Sequence, residues 1–132
     1  SDDIDVSATA VIGTSTPPLE RAPVANARVV DAFGNSLAEV SVDQQVQIEA
    51  DLVNGQDGDQ SFAYLVQVQN SDGVTVSLAW ITGQLAAGQS FSPALSWIPD
   101  ASGSYEATVF VWESVDNPTA LSDTTSVNIT VV

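Results

Sequence analysis

The feature that most limits what this chain can become is an apolar/polar alternation of period two that recurs along its length. Val46, Ile48, Ala50 and Leu52 alternate with Gln47, Glu49 and Asp51. Successive strand side chains point to opposite faces, so this pattern describes a strand with one packed and one wet face, as in an antiparallel sheet. Phe62–Gln69 alternates through Phe62, Tyr64, Val66 and Val68, and Thr125–Val132 through Thr125, Val127, Ile129 and Val131. No segment carries a helical period. The turn signals Phe33-Gly34-Asn35-Ser36, Ser71-Asp72-Gly73 and Asp116-Asn117-Pro118 divide the rest.

Between these anchors, Ala27–Ala32 reads as a short strand and Leu37–Val42 as its continuation toward the core. Val74–Ile81 returns from the Ser71–Gly73 hairpin, with Val76, Leu78 and Trp80 expected to face inward. Phe91–Ile98 alternates through Phe91, Leu95 and Trp97, and Pro93 confines it to a sheet edge. Tyr105–Glu113 is apolar on both faces from Val109 to Trp112 and belongs inside its sheet. The expected fold is all-β: an immunoglobulin-like antiparallel β-sandwich of seven to eight strands, with an N-terminal extension strand.

That extension is Ile4–Ile12. Ile4, Val6, Ala8, Ala10 and Ile12 share one face, and Asp5, Ser7 and Thr9 the other. Gly13–Asn26 follows, with Pro17, Pro18 and Pro23 favouring extended backbone. It can span roughly 45–50 Å. The expected organisation is therefore residues 1–12 as a donor strand, 13–26 as a Pro/Thr-rich linker and 27–132 as the sandwich. The chain begins at Ser1 without an initiator Met, as a processed, mature protein would.

Seventeen acidic residues face two arginines, with no Lys and no His, for a net charge of −15. Nucleic acid and anionic membranes need cationic patches, so neither is an expected partner. No apolar run reaches the ~18 residues of a membrane span. Without Cys or Lys, disulfides, thiolate metal sites and Lys–Asn isopeptide bonds are excluded. Stability has to come from the core and from any partner strand.

Catalysis is not expected. A serine nucleophile needs a base, usually His or Lys, and the carboxylates sit in turns or on outward strand positions with nothing to raise their pKa. Asp57 and Asp59, in the loop Asn54–Gln60, offer oxygen ligands at alternate positions and are the candidate ligands for Ca2+, although the EF-hand spacing and its closing Glu are absent. Asn128-Ile129-Thr130 is a sequon whose Asn and Thr point away from the core, so Asn128 is the candidate glycosylation site; a proline blocks Asn117-Pro118-Thr119. Trp80, Trp97 and Trp112 are candidates for a sugar-binding face through stacking, against which the inward register of Trp80 and Trp97 favours core packing for those two. Trp112, beside Phe110 on the opposite face from Val109 and Val111, requires a cover of its own.

The runs VDQQVQIEADLVNG, QVQNSDGVTVSLAWITG, LAAGQSFSPALSWIPDASGSYEATVFVWES and VNITVV resemble the immunoglobulin-like, CARDB-type modules of archaeal and bacterial cell-surface proteins. The resemblance covers about residues 27–132 and rests on a G-x-Y (Gly103–Tyr105) before the central strand and a W-x-P (Trp97–Pro99) after another. It implies an extracellular structural or adhesive role and marks no active site. The organisation as a whole is similar to donor-strand pili and archaeal thread-like filaments. The expected function is thus a secreted, cell-surface filament or pilus subunit that polymerises head-to-tail with itself. In that reading Ile4, Val6, Ala8, Ala10 and Ile12 form the subunit interface. The alternative is a monomeric surface module that binds carbohydrate or a surface protein.

Overall fold

The structure, a computed structural model, describes residues 20–132. The expectations placed on Ile4, Val6, Ala8, Ala10 and Ile12 lie outside the described residues. In chain order the strands are β1 (Val24–Val30), β2 (Val46–Val53), β3 (Gln60–Asn70), β4 (Thr75–Leu85), β5 (Ser90–Phe91), β6 (Ala94–Trp97), β7 (Gly103–Trp112) and β8 (Thr125–Val131). They form two four-stranded antiparallel sheets. One has β2 between β1 and the short pair β5 and β6; the other runs β4-β3-β7-β8. This is an all-β, immunoglobulin-like sandwich of eight strands among the described residues.

The alternation at Val46–Leu52 buries Val46, Ile48, Ala50 and Leu52, as its period dictates. Facing them across the sandwich are Tyr64, Val66 and Val68 of β3 and Val109 and Val111 of β7, all buried. Each large apolar side chain buried this way contributes ~1.5–3 kcal/mol, and no covalent cross-link assists. Within the core a polar bond ties the sheets together: the Tyr64 hydroxyl donates to the Ile48 carbonyl at 3.2 Å. Burial pushes this hydroxyl well above its usual pKa, and the charge of Glu49 adds to the effect, so it remains a donor. The G-x-Y and W-x-P motifs meet at one corner, where the Trp97 and Tyr105 rings pack edge-on at 5.1 Å. Tyr105 closes that corner by donating to the Ala101 carbonyl four residues upstream, at 2.7 Å.

After β1 the chain changes sheets. The Asp31 carboxylate accepts the backbone N–H groups of Phe33 and Asn35 (2.8 and 2.9 Å), with Gly34 in the left-handed region at φ 84°. Leu37 N–H still bonds β1, at Val29 O. Val40 then lies parallel to β8: its N–H donates to Thr130 O at 2.9 Å, and Val132 N–H donates back to Val40 O at 2.8 Å.

Three placements differ from expectation. The first strand starts at Val24 instead of Ala27. Ala22, in the stretch read as linker, is fully buried and donates to Leu121 O at 3.1 Å, while Val24 N–H reaches Ser122 Oγ at 2.9 Å. Second, β4 faces the other way. Its register sets Ile81 opposite Tyr64, Ala79 opposite Val66 and Ser77 opposite Val68, and paired residues share a face. The small residues therefore point inward, and Val76, Leu78 and Trp80 are 46%, 54% and 50% exposed. Trp80 is not a core residue. Third, Phe91 does sit on the inner face, opposite Leu52, but at the end of the sandwich, 44% exposed with its ring 6.3 Å from Phe62. Pro93 does break its strand at a sheet edge, and β7 does lie inside its sheet.

Tyr64→Phe removes the inter-sheet bond while keeping the ring. It should lower unfolding free energy by about 1 kcal/mol in denaturant melts, with an unchanged m-value. No loss of stability would mean that packing alone fixes the distance between the sheets.

Candidate functional site

β3 and β4 contain no Asp, Glu, Lys or Arg. In a chain of net charge −15, two uncharged strands this long are the first sign of a contact surface. The register then assembles the site. On the outer face Trp80 lies opposite Leu65, and Leu65 opposite Phe110; the next row is Thr82, Ala63 and Trp112. Phe110 and Trp112, two residues apart on β7, share this face, and their rings stand 6.2 Å apart at 55°.

The result is an apolar groove of about 300 Å3 lined by Leu65, Leu78, Trp80, Phe110, Trp112 and Val115. Leu65 is its floor, only 4% exposed although it points away from the core. The one amide in the lining, Gln67, already donates to Thr75 Oγ1 at 2.8 Å. No titratable side chain lines the groove. Its chemistry is stacking and apolar contact: ring faces can meet the CH face of a sugar or apolar side chains.

The outer face of the other sheet is polar. Arg28 Nη2 bridges Glu49 (3.2 Å) and Asp51 (3.1 Å). Asp51 also accepts from Asn26 Nδ2 at 3.0 Å and Ser92 Oγ at 2.8 Å. The Asn26, Ser92 and Arg28 hydrogen bonds, with the Arg28 charge, bring the Asp51 carboxyl down to about 2. Burial opposes the Arg28 charge, but the two carboxylates outweigh it and raise the guanidinium above its ordinary pKa.

The other sequence candidates are not brought together. Asp57 and Asp59 are exposed, in a loop organised from below by buried Asn54. The Asn54 amide donates to Gly58 O (2.7 Å), Leu85 O and Ala86 O (both 3.1 Å), and its Oδ1 accepts from Gln56 N–H at 3.1 Å. Among the described residues no three His, Cys, Asp or Glu side chains converge. Asn128 is exposed on β8, opposite Glu106, beside a polar groove of about 380 Å3 that also reaches Gln69 and Ser104. Trp97 is in the core and Trp112 faces outward with Phe110, as expected. Leu65 and Val115 are members of the groove that the sequence reading did not single out, and Leu78 and Trp80 are members that it turned inward. The available signal was β3 itself, where Ala63 and Leu65 make the second face apolar and call for a cover.

No family model matches the sequence, and no curated protein matches it. Solved structures do. The C-terminal domain of wzt superposes with a TM-score of 0.66 at 16% identity, over 86% of this chain and 74% of that one. The CARDB domain of the PF1109 protein from Pyrococcus furiosus, in complex with di-metal ions, gives 0.60 at 16% identity, over 89% and 98%. A β-glucosidase from Listeria innocua gives 0.57 at 14% identity, over 83% of this chain and 15% of that enzyme. At these identities the likeness is one of fold.

The Asp51 network generates a pH signature. A carboxylate held below its unfolded value of roughly 3.9 adds stability above that pH and loses it as pH falls toward its folded value. The stability advantage of the native protein over Asp51→Asn should therefore shrink between roughly pH 4 and pH 2 in denaturant melts. A gap that is constant across that window would exclude the carboxylate charge as its source.

Proposed function

We propose that this chain is an extracellular, cell-surface immunoglobulin-like module that works by binding and not by catalysis, contacting neutral carbohydrate or an apolar protein surface through the outer face of β4-β3-β7. The observation that carries the reading is Trp80, half exposed over Leu65 beside Phe110, on the uncharged strands of an acidic protein. The structural likeness to a CARDB domain supports a surface role. So does the resemblance in the Trp97–Pro99 and Gly103–Tyr105 motifs, which structural modules of surface proteins carry. Among the described residues no helix is long and apolar enough to cross a membrane. The net charge of −15 disfavours polyanionic ligands. Asn128 as a glycan acceptor and Asp57 and Asp59 as Ca2+ ligands belong to the same proposal as accessory features.

The test is binding to immobilised neutral polysaccharides and to surface protein from the source cell. Trp80→Ala should weaken retention about tenfold, in line with the loss of one stacking contact. Tyr64→Phe, in the core, should leave it unchanged. Equal binding by Trp80→Ala and native protein would remove this face from the reading.

A second reading is favoured by the edge of β4, eleven residues long, without charge and with no strand beyond it among the described residues. In that reading the chain is a filament subunit that donates Ile4–Ile12 to a neighbour. Deleting residues 1–12 should abolish filaments seen by electron microscopy and leave a folded monomer. A protein that is monomeric both before and after deletion sinks strand donation.

A further inference from the structure

We infer that the acceptor for Ile4–Ile12 of a second copy is the free edge of β4, with the donated segment running antiparallel to it; this rests on the strand-donation reading. A two-sheet sandwich has few edges to offer, and the others are compromised. The β8 edge is sealed at its end by Val40, which exchanges hydrogen bonds with Thr130 and Val132 (2.9 and 2.8 Å). The β1 edge is interrupted by a bulge between Ala25 and Arg28, with Asn26 at φ 60°, and is met by Leu37 N–H at Val29 O. The third edge is split into β5, of two residues, and β6, of four, and Pro93 between them has no N–H to give.

From Ser77 to Leu85, and among the described residues, β4 lacks these protections. Natural edges are blunted by charge, proline, bulges or covering loops. β4 has no charged residue and no proline over its eleven residues. The irregularity in its hairpin leaves one extra residue, Val76, on β4 at the turn end, and the nine residues Ser77–Leu85 pair without interruption. At ~3.4 Å per residue, Ile4–Ile12 fits within the length of β4.

Direction separates a second copy from the chain's own arm. Arg21 O accepts Gly55 N–H at 3.1 Å, and the adjacent Asn54 side chain bonds Leu85 O. The described chain therefore enters at the Leu85 end of β4, opposite the Ser71–Gly73 turn. An arm folded back on its own subunit would run from the Thr75 end to the Leu85 end, parallel to β4. An arm reaching a copy displaced along the strand axis enters that copy at the Thr75 end and runs antiparallel. Every ladder between the strands of this sheet is antiparallel, the stronger ladder per residue, and the one parallel contact is the isolated Val40–Val131 bridge. Pro17 and Pro18 also favour an extended connection over a reversal.

The side chains fit this placement. The inward residues of β4 are small, Ser77, Ala79 and Gly83, beside Ile81. Between β4 and β5 opens a groove of about 300 Å3 that reaches Phe62, Ile81, Leu85 and half-exposed Phe91. Ile4, Val6 and Ile12, turned inward, meet these residues and cover Phe91, while Asp5, Ser7 and Thr9 stay in solvent. The aromatic groove on the outer face remains open.

A chain without cysteine makes disulfide trapping clean. The full chain carrying Ala8→Cys with Ser77→Cys, Ala79→Cys or Ile81→Cys should yield a ladder of covalent oligomers on non-reducing gels. Ala8→Cys with Ala27→Cys on β1, or with Leu95→Cys on the inward face of β6, should not. A ladder from the β1 or β6 pairs would overturn the β4 assignment and keep strand donation. A covalent monomer with an internal disulfide would overturn the second copy as the source. No trapping in any pair, with no filaments from native protein, would overturn strand donation itself.

Discussion

β3 has to be covered twice, and that requirement shapes the molecule. Its inward residues Tyr64, Val66 and Val68 are covered by β2, with the Tyr64–Ile48 bond as a polar link between the two layers. Its outward residues Ala63 and Leu65 also have to leave water, and nothing in the sandwich lies above them. Trp80, Phe110 and Trp112 do the covering from neighbouring strands and are left partly in solvent themselves. The aromatic groove is thus a by-product of making β3 apolar on both faces. A chain without covalent staples gains stability from that second apolar layer, and its surface acquires a sticky face as a consequence.

Charge is distributed to match. The two arginines sit at the start of the sandwich, where Arg28 gathers Glu49 and Asp51 into a carboxylate network. Most other acids occupy turns and outward positions, where self-repulsion keeps copies apart in a non-directional way. The β3–β4 hairpin carries only Asp72, at its turn. Charge is thus spread over most of the surface and is absent from the two strands of one hairpin.

How much could be read in advance depended on how many neighbours decide a residue's fate. β2 was legible because its alternation has one solution: polar and charged residues on one side, Val, Ile, Ala and Leu on the other. Trp97 and Tyr105 were legible because bulky aromatics beside a strong alternation rarely face water. β4 was not, because TVSLAWITGQL offers two self-consistent faces, and hydrophobicity alone favours Val76, Leu78 and Trp80. Pairing with β3 decides the matter, and pairing is a tertiary fact. Ala22 and Val24 were missed for a similar reason: their partners, Leu121 and Ser122, lie at the other end of the chain. The site was half visible, through Trp112 and Phe110, and its other half followed from the register.

The crossover at Val40 has a mechanical meaning. The chain enters the sandwich beside Leu85, where Ala22 and Arg21 are bonded to Leu121 and Gly55. It leaves at the opposite end, where Val131 pairs with Gly103 and Val132 is clamped by Val40. A load applied between these two points runs along the strands. It has to shear several ladder bonds together, together with the Val40 clamp, instead of peeling them apart singly. Survival under such a load is set by the rate of crossing that barrier more than by equilibrium stability. A domain anchored this way is suited to bearing tension lengthwise.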